Sequence, residues 1–251
     1  ERALQQGCRE LRLTCQDTAA YGRDTNTSLQ SLVHRIAMLP GGFRIRVGMM
    51  HPLSVIHQPD VLDVFEHEKV YCFLHLPLQS GSSSVLHCMR RGYTAQDVLD
   101  IVSEMRERYP GISISTDIIV AFPNETEQNF EDTCQALQDM QPDVVNVTRF
   151  SARPGTPAAD MEHPDTAMAK DRSRRLSTLA QDIIRKRMEQ RIGSSTMALL
   201  LEKRDGVTVA KTDSYQSVYL PEGEIGTLQR VNITGIEGNH LVGERDGKEH
   251  I

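Results

Sequence analysis

The sequence predicts an α/β fold: repeated βα units that form a barrel or partial barrel, followed by a small antiparallel β-barrel. Three observations lead to this prediction. Between residues 10 and 150, short apolar runs rich in β-branched residues alternate five times with amphipathic segments, the pattern of a parallel sheet. A long basic amphipathic segment follows. After residue 194, short apolar runs are separated by turns that contain Gly or Asp.

The strands of the first region are predicted from their apolar, β-branched composition. The fourth begins by alternating Ile with Ser and continues as the apolar run Ile118 to Phe122, as a strand covered on both faces requires. The predicted strands are Glu10 to Leu13, Phe43 to Val47, Val70 to Leu76, Ile112 to Val120 and Val144 to Phe150. Five consecutive βα units favour a barrel.

Helices are predicted between these strands from apolar spacing and from start and stop signals. Thr94 is a plausible N-cap, and Pro110 with Gly111 ends the helix that it begins. The predicted helices are Ser28 to Leu39, Pro52 to Phe65, Ser83 to Met89, Ala95 to Tyr109 and Glu127 to Met140.

The remainder of the chain is predicted as a connecting helix and a second domain. A basic amphipathic helix runs from Thr166 to Ile192, and Gly193 follows it. We expect domains at 1–165, 166–193 and 194–251, the last with a frayed tail from residue 244. Its predicted strands are Met197 to Leu201, Val207 to Lys211, Ser217 to Leu220, Gln229 to Ile236 and His240 to Gly243.

Charge and cysteine content exclude several classes of protein. The net charge of −6 repels a nucleic-acid backbone at long range, so any contact with RNA must be local. The five cysteines show no CxxC or CxxxC spacing, which argues against a disulfide framework and shows no metal motif. No run approaches about 20 apolar residues, and the charged start is unlike a signal peptide. We expect a cytoplasmic location and leave open a membrane anchor in a longer protein.

The predicted carboxyl ends of the strands are polar, and in α/β barrels the working residues gather there. Amides, hydroxyls, His, Asp and Arg at these ends can bind a polar, partly anionic small molecule. No side chain is an obvious nucleophile beside its base. The segments are residues 14–17, 50–52, 75–82, 116–117, 123–126 and 150–157.

Each of these residues also has a structural interpretation. Asp17 can cap the next turn, and His51 before a proline can be a turn residue. His75 is more typical of a hydrogen-bonded core histidine than of a catalytic one. Asp117 in a buried strand needs a partner, from the protein or from a ligand. Arg153 is the best candidate for anion binding, with an ion pair to a nearby Asp as the alternative.

The long helix carries the marked basic cluster of this acidic protein. A solvated face is one interpretation, and RNA binding beside a small β-barrel is the other. The candidate RNA-binding residues are Arg174, Arg175, Arg185, Lys186 and Arg187.

Several strand-end segments, in order, resemble one known family. They are LTCQDTAAYGRD, RVGMMHP, FLHLPLQSGSSSVLHCMRRGYT, STDIIVAFPNETEQNFEDT and FSARPGTPAA. They resemble the radical S-adenosylmethionine methylthiotransferases, and the region after residue 194 resembles their TRAM domain. The resemblance implies a partial, TIM-like (β/α)6 barrel without its first strand, followed by a small all-β TRAM barrel. It also implies S-adenosylmethionine and 4Fe-4S clusters as cofactors and tRNA as partner.

The form QDTxAYGRD with GMxxP is most similar to enzymes that act on threonylcarbamoyladenosine next to the tRNA anticodon. The implied reaction attaches a methylthio group to C2 of the adenine through a 5′-deoxyadenosyl radical. The cofactor-binding positions that the resemblance implies are Gln16, Asp17, Gln79, Ser80, Asp117, Ile119, Phe150, Ser151 and Arg153.

The chain also departs from the family pattern. The family's CxxxCxxC loop is absent, so the cluster ligands are expected outside this chain, and the chain alone is expected to be inactive. Cys15, Ala121 and Asn124 stand where glycine is usual, and a Cβ can obstruct close approach or a positive φ. The alternatives are a non-catalytic RNA-binding protein, or a methylthiotransferase for isopentenyladenosine tRNA or a ribosomal protein. A cluster-free barrel enzyme that uses His51 or Asp117 is a third.

Overall fold

The first part of the chain is a partial barrel of five parallel strands. The computed structural model describes residues 1–246. The strands are β1 (Glu10–Leu13), β2 (Arg44–Val47), β3 (Phe73–His75), β4 (Ser113–Val120) and β5 (Val144–Arg149). β1 pairs with β2, and β3, β4 and β5 pair in that order, all parallel; a bridge between Ile45 and Val70 joins the two sheets. The predicted α/β class and partial barrel are confirmed.

The third strand is shorter than predicted, because the backbone before it is used elsewhere. Val70 makes only the isolated bridge, and the Cys72 amide donates to the Asp213 carbonyl of the C-terminal domain at 2.8 Å. Regular pairing therefore begins at Phe73.

Seven α-helices are described in residues 1–246. The predicted helix from Pro52 to Phe65 is wrong as one helix: it ends at His57, and a 3-10 helix spans Pro59–Glu66. Pro59 lacks an amide proton, and its ring collides with a continuing helix, which explains the break. The helices are α1 (Arg2–Gln5), α2 (Leu29–Ala37), α3 (Pro52–His57), α4 (Ser83–Cys88), α5 (Ala95–Arg108), α6 (Glu127–Met140) and α7 (Thr166–Glu189).

The two faces of the strands differ in chemistry because side chains alternate along a strand. Ile45 and Val47 of β2 are buried in the same apolar core as residues of α2, α5 and α6. The opposite face, which we call the inner face, carries Arg44 and Arg46 on β2. On β4 it carries Asp117, and this face is where polar groups collect.

The C-terminal part is a closed barrel with the strand order β10-β8-β7-β6-β9. The prediction of a small β-barrel is confirmed. A frayed tail from residue 244 is wrong for Glu244 and Arg245, which end β10, while residues 247–251 lie outside the described residues. The strands are β6 (Ser195–Arg204), β7 (Val207–Thr212), β8 (Ser217–Leu220), β9 (Leu228–Glu237) and β10 (His240–Arg245).

One carboxylate joins the partial barrel, the end of the long helix and the C-terminal barrel. The side chain of Asp143 is 0% exposed. One oxygen accepts from the Ile114 amide at 2.9 Å and lies 3.4 Å from Arg187. The other accepts from Gln216 at 3.0 Å and lies 3.3 Å from Arg191. The three regions therefore share one buried ionic contact.

Candidate functional site

The polar ends of the five strands lie along one edge of the partial barrel. Backbone hydrogen bonds continue past the strands and join each strand-end segment to the next. The donor and acceptor residues are Thr18 and Met49, Met50 and His75, Leu76 and Ser115, and Phe150 and Val120, each pair at 2.9 Å. The strand-end segments therefore form one continuous polar edge, as their position in the sequence predicts.

Asp17 ties the first strand end to the second. Its Oδ1 accepts from the amides of Ala19 at 3.1 Å and His51 at 3.0 Å, and its Oδ2 accepts from the Ser54 hydroxyl at 2.6 Å. The capping role considered for Asp17 is therefore present in the structure. Gln16 is exposed beside it.

Gln79 brings a side-chain amide without a protein partner to this edge. Its backbone, at φ +69°, bonds to β4 through the Asp117 carbonyl at 2.8 Å and the Ile119 amide at 2.9 Å. The residue is only 8% exposed, and its side-chain amide makes no hydrogen bond within residues 1–246. The amide oxygen and nitrogen are not fully buried, so they are open to hydrogen bonds from a ligand at this edge.

Ser80, the next residue, differs from Gln79. It is fully buried, and its hydroxyl lies 3.2 Å from that of Thr133 and accepts from the Ser82 amide at 3.2 Å. The Ser80 side chain therefore supports the loop against α6, and its hydroxyl is not open to a ligand.

Asp117 is held by protein side chains on both neighbouring strands. His75 Nε2 lies 3.0 Å from one oxygen, and Asn146 donates to the other at 2.7 Å. Burial by itself would raise the pKa of Asp117, but the hydrogen bonds from His75 and Asn146 outweigh it and lower the pKa below its usual value. A charged, oriented carboxylate thus lies on the inner face, with Ile119 half-buried beyond it.

The fifth strand end contributes an aromatic ring and a free cation. The ring of Phe150 packs edge-on against Phe122, with centroids 5.1 Å apart, and stacks on His163 at 5.9 Å. Ser151 and Arg153 are exposed. Within residues 1–246 no carboxylate pairs with Arg153, so the ion pair considered as its alternative is not formed.

Two positions that resemble glycine positions of the family have a left-handed backbone. The φ values are +58° at Ala121 and +64° at Asn124. Glycine adopts this conformation without strain, whereas a Cβ disfavours it. The turn is held by Glu125, whose carboxylate accepts from the Ala121 amide at 2.7 Å.

Most of the candidate RNA-binding cations on α7 are already paired within the protein. Arg175 bonds to Glu127 at 2.6 Å and to Glu131, and Arg187 lies against Asp143. Arg174 pairs with Asp171 at 2.8 Å, Arg185 with Glu189 at 3.2 Å, and Lys186 has no ion pair among the described residues. Arg187 therefore has a buried partner and Arg175 links α7 to α6, while the exposed Arg174, Arg185 and Lys186 pair at most within α7.

Sequence reasoning missed the role of Arg172, which it grouped with the other cations of the long helix. Arg172 is 2% exposed and donates to the Glu125 carboxylate at 2.8 Å and the Glu125 carbonyl at 2.9 Å. Its position four residues before the apolar Leu176 on a helix face is the signal that could have indicated burial.

These groups suit S-adenosylmethionine, the cofactor that the resemblance implies. Its carboxylate, ribose hydroxyls and adenine match a cation, an unpartnered amide and an aromatic strand end, which Arg153, Gln79 and Phe150 provide. Within residues 1–246 no group of three or more His, Cys, Asp or Glu is placed to hold a metal ion. In the same residues, no helix combines the length and the hydropathy that crossing a bilayer requires.

Comparisons with known proteins identify relatives over most of this chain. The "Probable threonylcarbamoyladenosine tRNA methylthiotransferase" of Methanothermobacter thermautotrophicus is 41% identical over 244 residues, which cover 96% of this chain and 58% of that protein. The human "Threonylcarbamoyladenosine tRNA methylthiotransferase" is 34% identical over 239 residues, covering 93% of this chain and 41% of that protein. The chain thus spans about half the length of these relatives.

Among solved structures, the archaeal Methanocaldococcus infernus Elp3 with an N-terminal deletion aligns with a TM-score of 0.50 and 10% identity. The alignment covers 96% of this chain and 76% of that one, and it supports the fold alone. The family model of the radical SAM superfamily matches residues 2–137, more than half of the chain. The chain therefore belongs to the radical SAM superfamily.

Proposed function

We propose that this chain supplies the cofactor-binding and RNA-binding parts of a tRNA methylthiotransferase that acts on threonylcarbamoyladenosine. The observation that carries the proposal is the continuous polar edge, with a side-chain amide at Gln79 that has no protein partner and an unpaired cation at Arg153. The names of the relatives, which match at least 93% of the chain, support the choice of substrate.

In this proposal the residues of the edge bind and orient. Gln79 donates and accepts hydrogen bonds toward the ribose or carboxylate of the cofactor, and Arg153 pairs with its carboxylate. Asp117, fixed by His75 and Asn146, presents a charged acceptor on the inner face. When bound, S-adenosylmethionine would supply, together with 4Fe-4S clusters, the radical chemistry that attaches the methylthio group.

We propose that RNA contacts on the long helix come from its exposed cations. Arg174, Arg185 and Lys186 can reach phosphates without breaking a buried ion pair. Arg175, which the sequence also suggested, would have to leave its partners on α6, and Arg187 would have to leave the buried Asp143. Reversing the charge of the exposed three should weaken tRNA binding and reduce its salt dependence.

The proposal is tested with the full-length protein, reconstituted anaerobically and incubated with tRNA that carries unmethylthiolated threonylcarbamoyladenosine. Mass spectrometry of the nucleosides should detect the methylthio product. Arg153→Ala should weaken binding of S-adenosylmethionine, while Arg149→Ala, an exposed neighbour, should leave it unchanged. Product on isopentenyladenosine alone, or none with an intact cluster, would contradict the proposed substrate.

A further inference from the structure

The inner face carries a cluster of cations between the partial barrel and the C-terminal barrel. Its members, which we call the inner cation cluster, are Arg12 on β1, Arg44 and Arg46 on β2, and Lys211 on β7. Arg12 lies opposite Arg46 in the β1–β2 pairing. Lys211 belongs to the other barrel, so the cluster is formed by both parts of the chain.

Two members of the cluster have carboxylate partners. Arg44 bonds to Asp213 at 2.9 Å, and Arg12 bonds to Glu10. Glu10 also accepts from the Tyr71 hydroxyl at 3.1 Å, so that carboxylate is fully used. Arg44 and Arg12 are thereby neutralised within the protein.

The other two members, Arg46 and Lys211, have no carboxylate partner among the described residues. The Arg46 guanidinium carbon lies 5.1 Å from the centroid of the Phe73 ring and 5.0 Å from that of Tyr215. Its Nε is buried without a hydrogen bond. A half-buried guanidinium that lies against two rings with no anion beside it is suited to bind an anion.

Lys211 lies on the same aromatic ring. Its Nζ is 4.5 Å from the Tyr215 centroid and donates only to the Ser217 hydroxyl at 2.8 Å. Burial lowers the pKa of Lys211. The negative charge of Glu10 opposes this shift without cancelling it, and the positive charges of Arg12 and Arg46 lower the pKa further. Arg46 lowers the pKa of Lys211 because the two positive charges lie close together, and a bound anion would offset their repulsion.

The pair has room for a ligand and lies below the polar edge. A cavity of about 140 Å³ is lined by Lys211 and by Phe73 and Tyr215, the two rings that Arg46 contacts. Arg46 is four residues before Met50, where the second strand-end segment begins, which is about 13 Å along an extended chain. A substrate whose reacting atom is at the edge can therefore reach the pair with a substituent.

We infer that Arg46 and Lys211 bind the carboxylate of the threonylcarbamoyl group of the substrate base. This inference rests on the proposed function. The reacting C2 must lie near the cofactor at the polar edge, and the threonyl carboxylate lies several bonds away at the end of the N6 substituent. One carboxylate satisfies two unpaired cations, whereas an isopentenyl group has no charge and would leave them unpaired.

Binding measurements with the full-length protein test this assignment. The probes are three anticodon stem-loop RNAs that differ only in the base: threonylcarbamoyladenosine, its methyl ester, and adenosine. The ester keeps the size of the substituent and removes its charge. The variants are Arg46→Met and Lys211→Met, Arg46→Lys as a charge-preserving variant, and the exposed Arg204→Met as a control.

The unaltered protein should bind the threonylcarbamoyl RNA about 10-fold more tightly than the ester or adenosine RNA. Arg46→Met and Lys211→Met should each lose this preference while keeping the affinity for adenosine RNA, and Arg46→Lys should keep part of it. Arg204→Met should keep it entirely. Circular dichroism establishes that each variant is folded, and Lys211→Met provides the test if Arg46→Met does not fold.

Two results would overturn the inference. Equal binding of the acid and the ester by the unaltered protein would show that the carboxylate is not recognised. A variant that loses affinity for all three RNAs equally would assign the pair to the phosphate backbone. Failure of the proposed function is seen separately, as no methylthio product from the unaltered protein; product formation with an unchanged preference in the variants rejects only the inference.

Discussion

The buried ion pair between Arg172 and Glu125 gives the sharpest prediction about stability. The Arg172 guanidinium donates to the Glu125 carboxylate and carbonyl, and lies 3.2 Å from the partly exposed Glu127. Methionine keeps most of the volume of the side chain and removes the charge and the donors. Arg172→Met therefore leaves a buried carboxylate without its cation, and it should lower the free energy of unfolding by ~3–5 kcal/mol.

The matched control is Arg174→Met, two positions along the same helix. The Arg174 side chain is 78% exposed and pairs only with Asp171, so the loss should stay within about 0.5 kcal/mol. Because the chain contains no Trp, unfolding in urea is best followed by far-UV circular dichroism. Similar losses in the two variants would refute the reasoning. The double variant Arg172→Met with Glu125→Gln no longer buries a charge, so it should be more stable than Arg172→Met alone. A double variant that is no more stable would also refute the reasoning.

The same pair predicts a pH dependence. Burial raises the pKa of Glu125 above its usual value, against the opposing hydrogen bond from Ala121 and the charge of Arg172. Removal of Arg172 raises it further. A carboxyl whose pKa is higher in the folded state contributes stability that is present at low pH and lost as pH rises through the folded pKa. The deficit of Arg172→Met should therefore be smaller at about pH 5 than at about pH 8.

Three further predictions follow from local geometry. Ala121→Gly should raise the free energy of unfolding by about 1 kcal/mol in urea titrations, because the backbone is left-handed, and Asn124→Gly should gain less. Because the pKa of Asp117 is lowered, the ionised carboxylate stabilises the fold at neutral pH, and this stabilisation is lost as pH falls below about 4. Asp117→Asn should therefore be less stable than the unaltered protein at neutral pH, and its stability should depend less on pH in the acid range. Burial raises the pKa of Cys72 and Cys134 to about 11, so iodoacetamide should label the exposed cysteines first, as peptide mass spectrometry can measure.

Features that depend on neighbouring residues were predictable from the sequence. Thr94 and Thr126 cap α5 and α6 through capping boxes, and both helices begin at the predicted residues. The break at Pro59 has a local cause too, but the apolar spacing on both sides of it concealed the break. The strand ends were also identified, because turn residues and polar side chains follow apolar runs.

The partners of the site residues were not predictable, because they come from distant parts of the chain. Nothing near Asp17 in the sequence indicates that Ser54 will donate to it, and nothing near Arg46 indicates that Tyr215 will cover it. The sequence correctly placed Gln79 and Ser80 at a strand end. It did not indicate that packing against α6 buries the Ser80 hydroxyl and leaves the Gln79 side-chain amide without a partner. Such differences arise only when the helices are in place.

The fully enclosed carboxylate of Asp143 limits how the two barrels can move. Tilting the C-terminal barrel would pull Gln216 away from the Asp143 carboxylate and leave its negative charge with fewer hydrogen-bond donors. If the C-terminal barrel holds RNA as proposed, the bound RNA would reach the strand edge in one orientation. The distance between the two barrels would then determine which nucleotide reaches that edge.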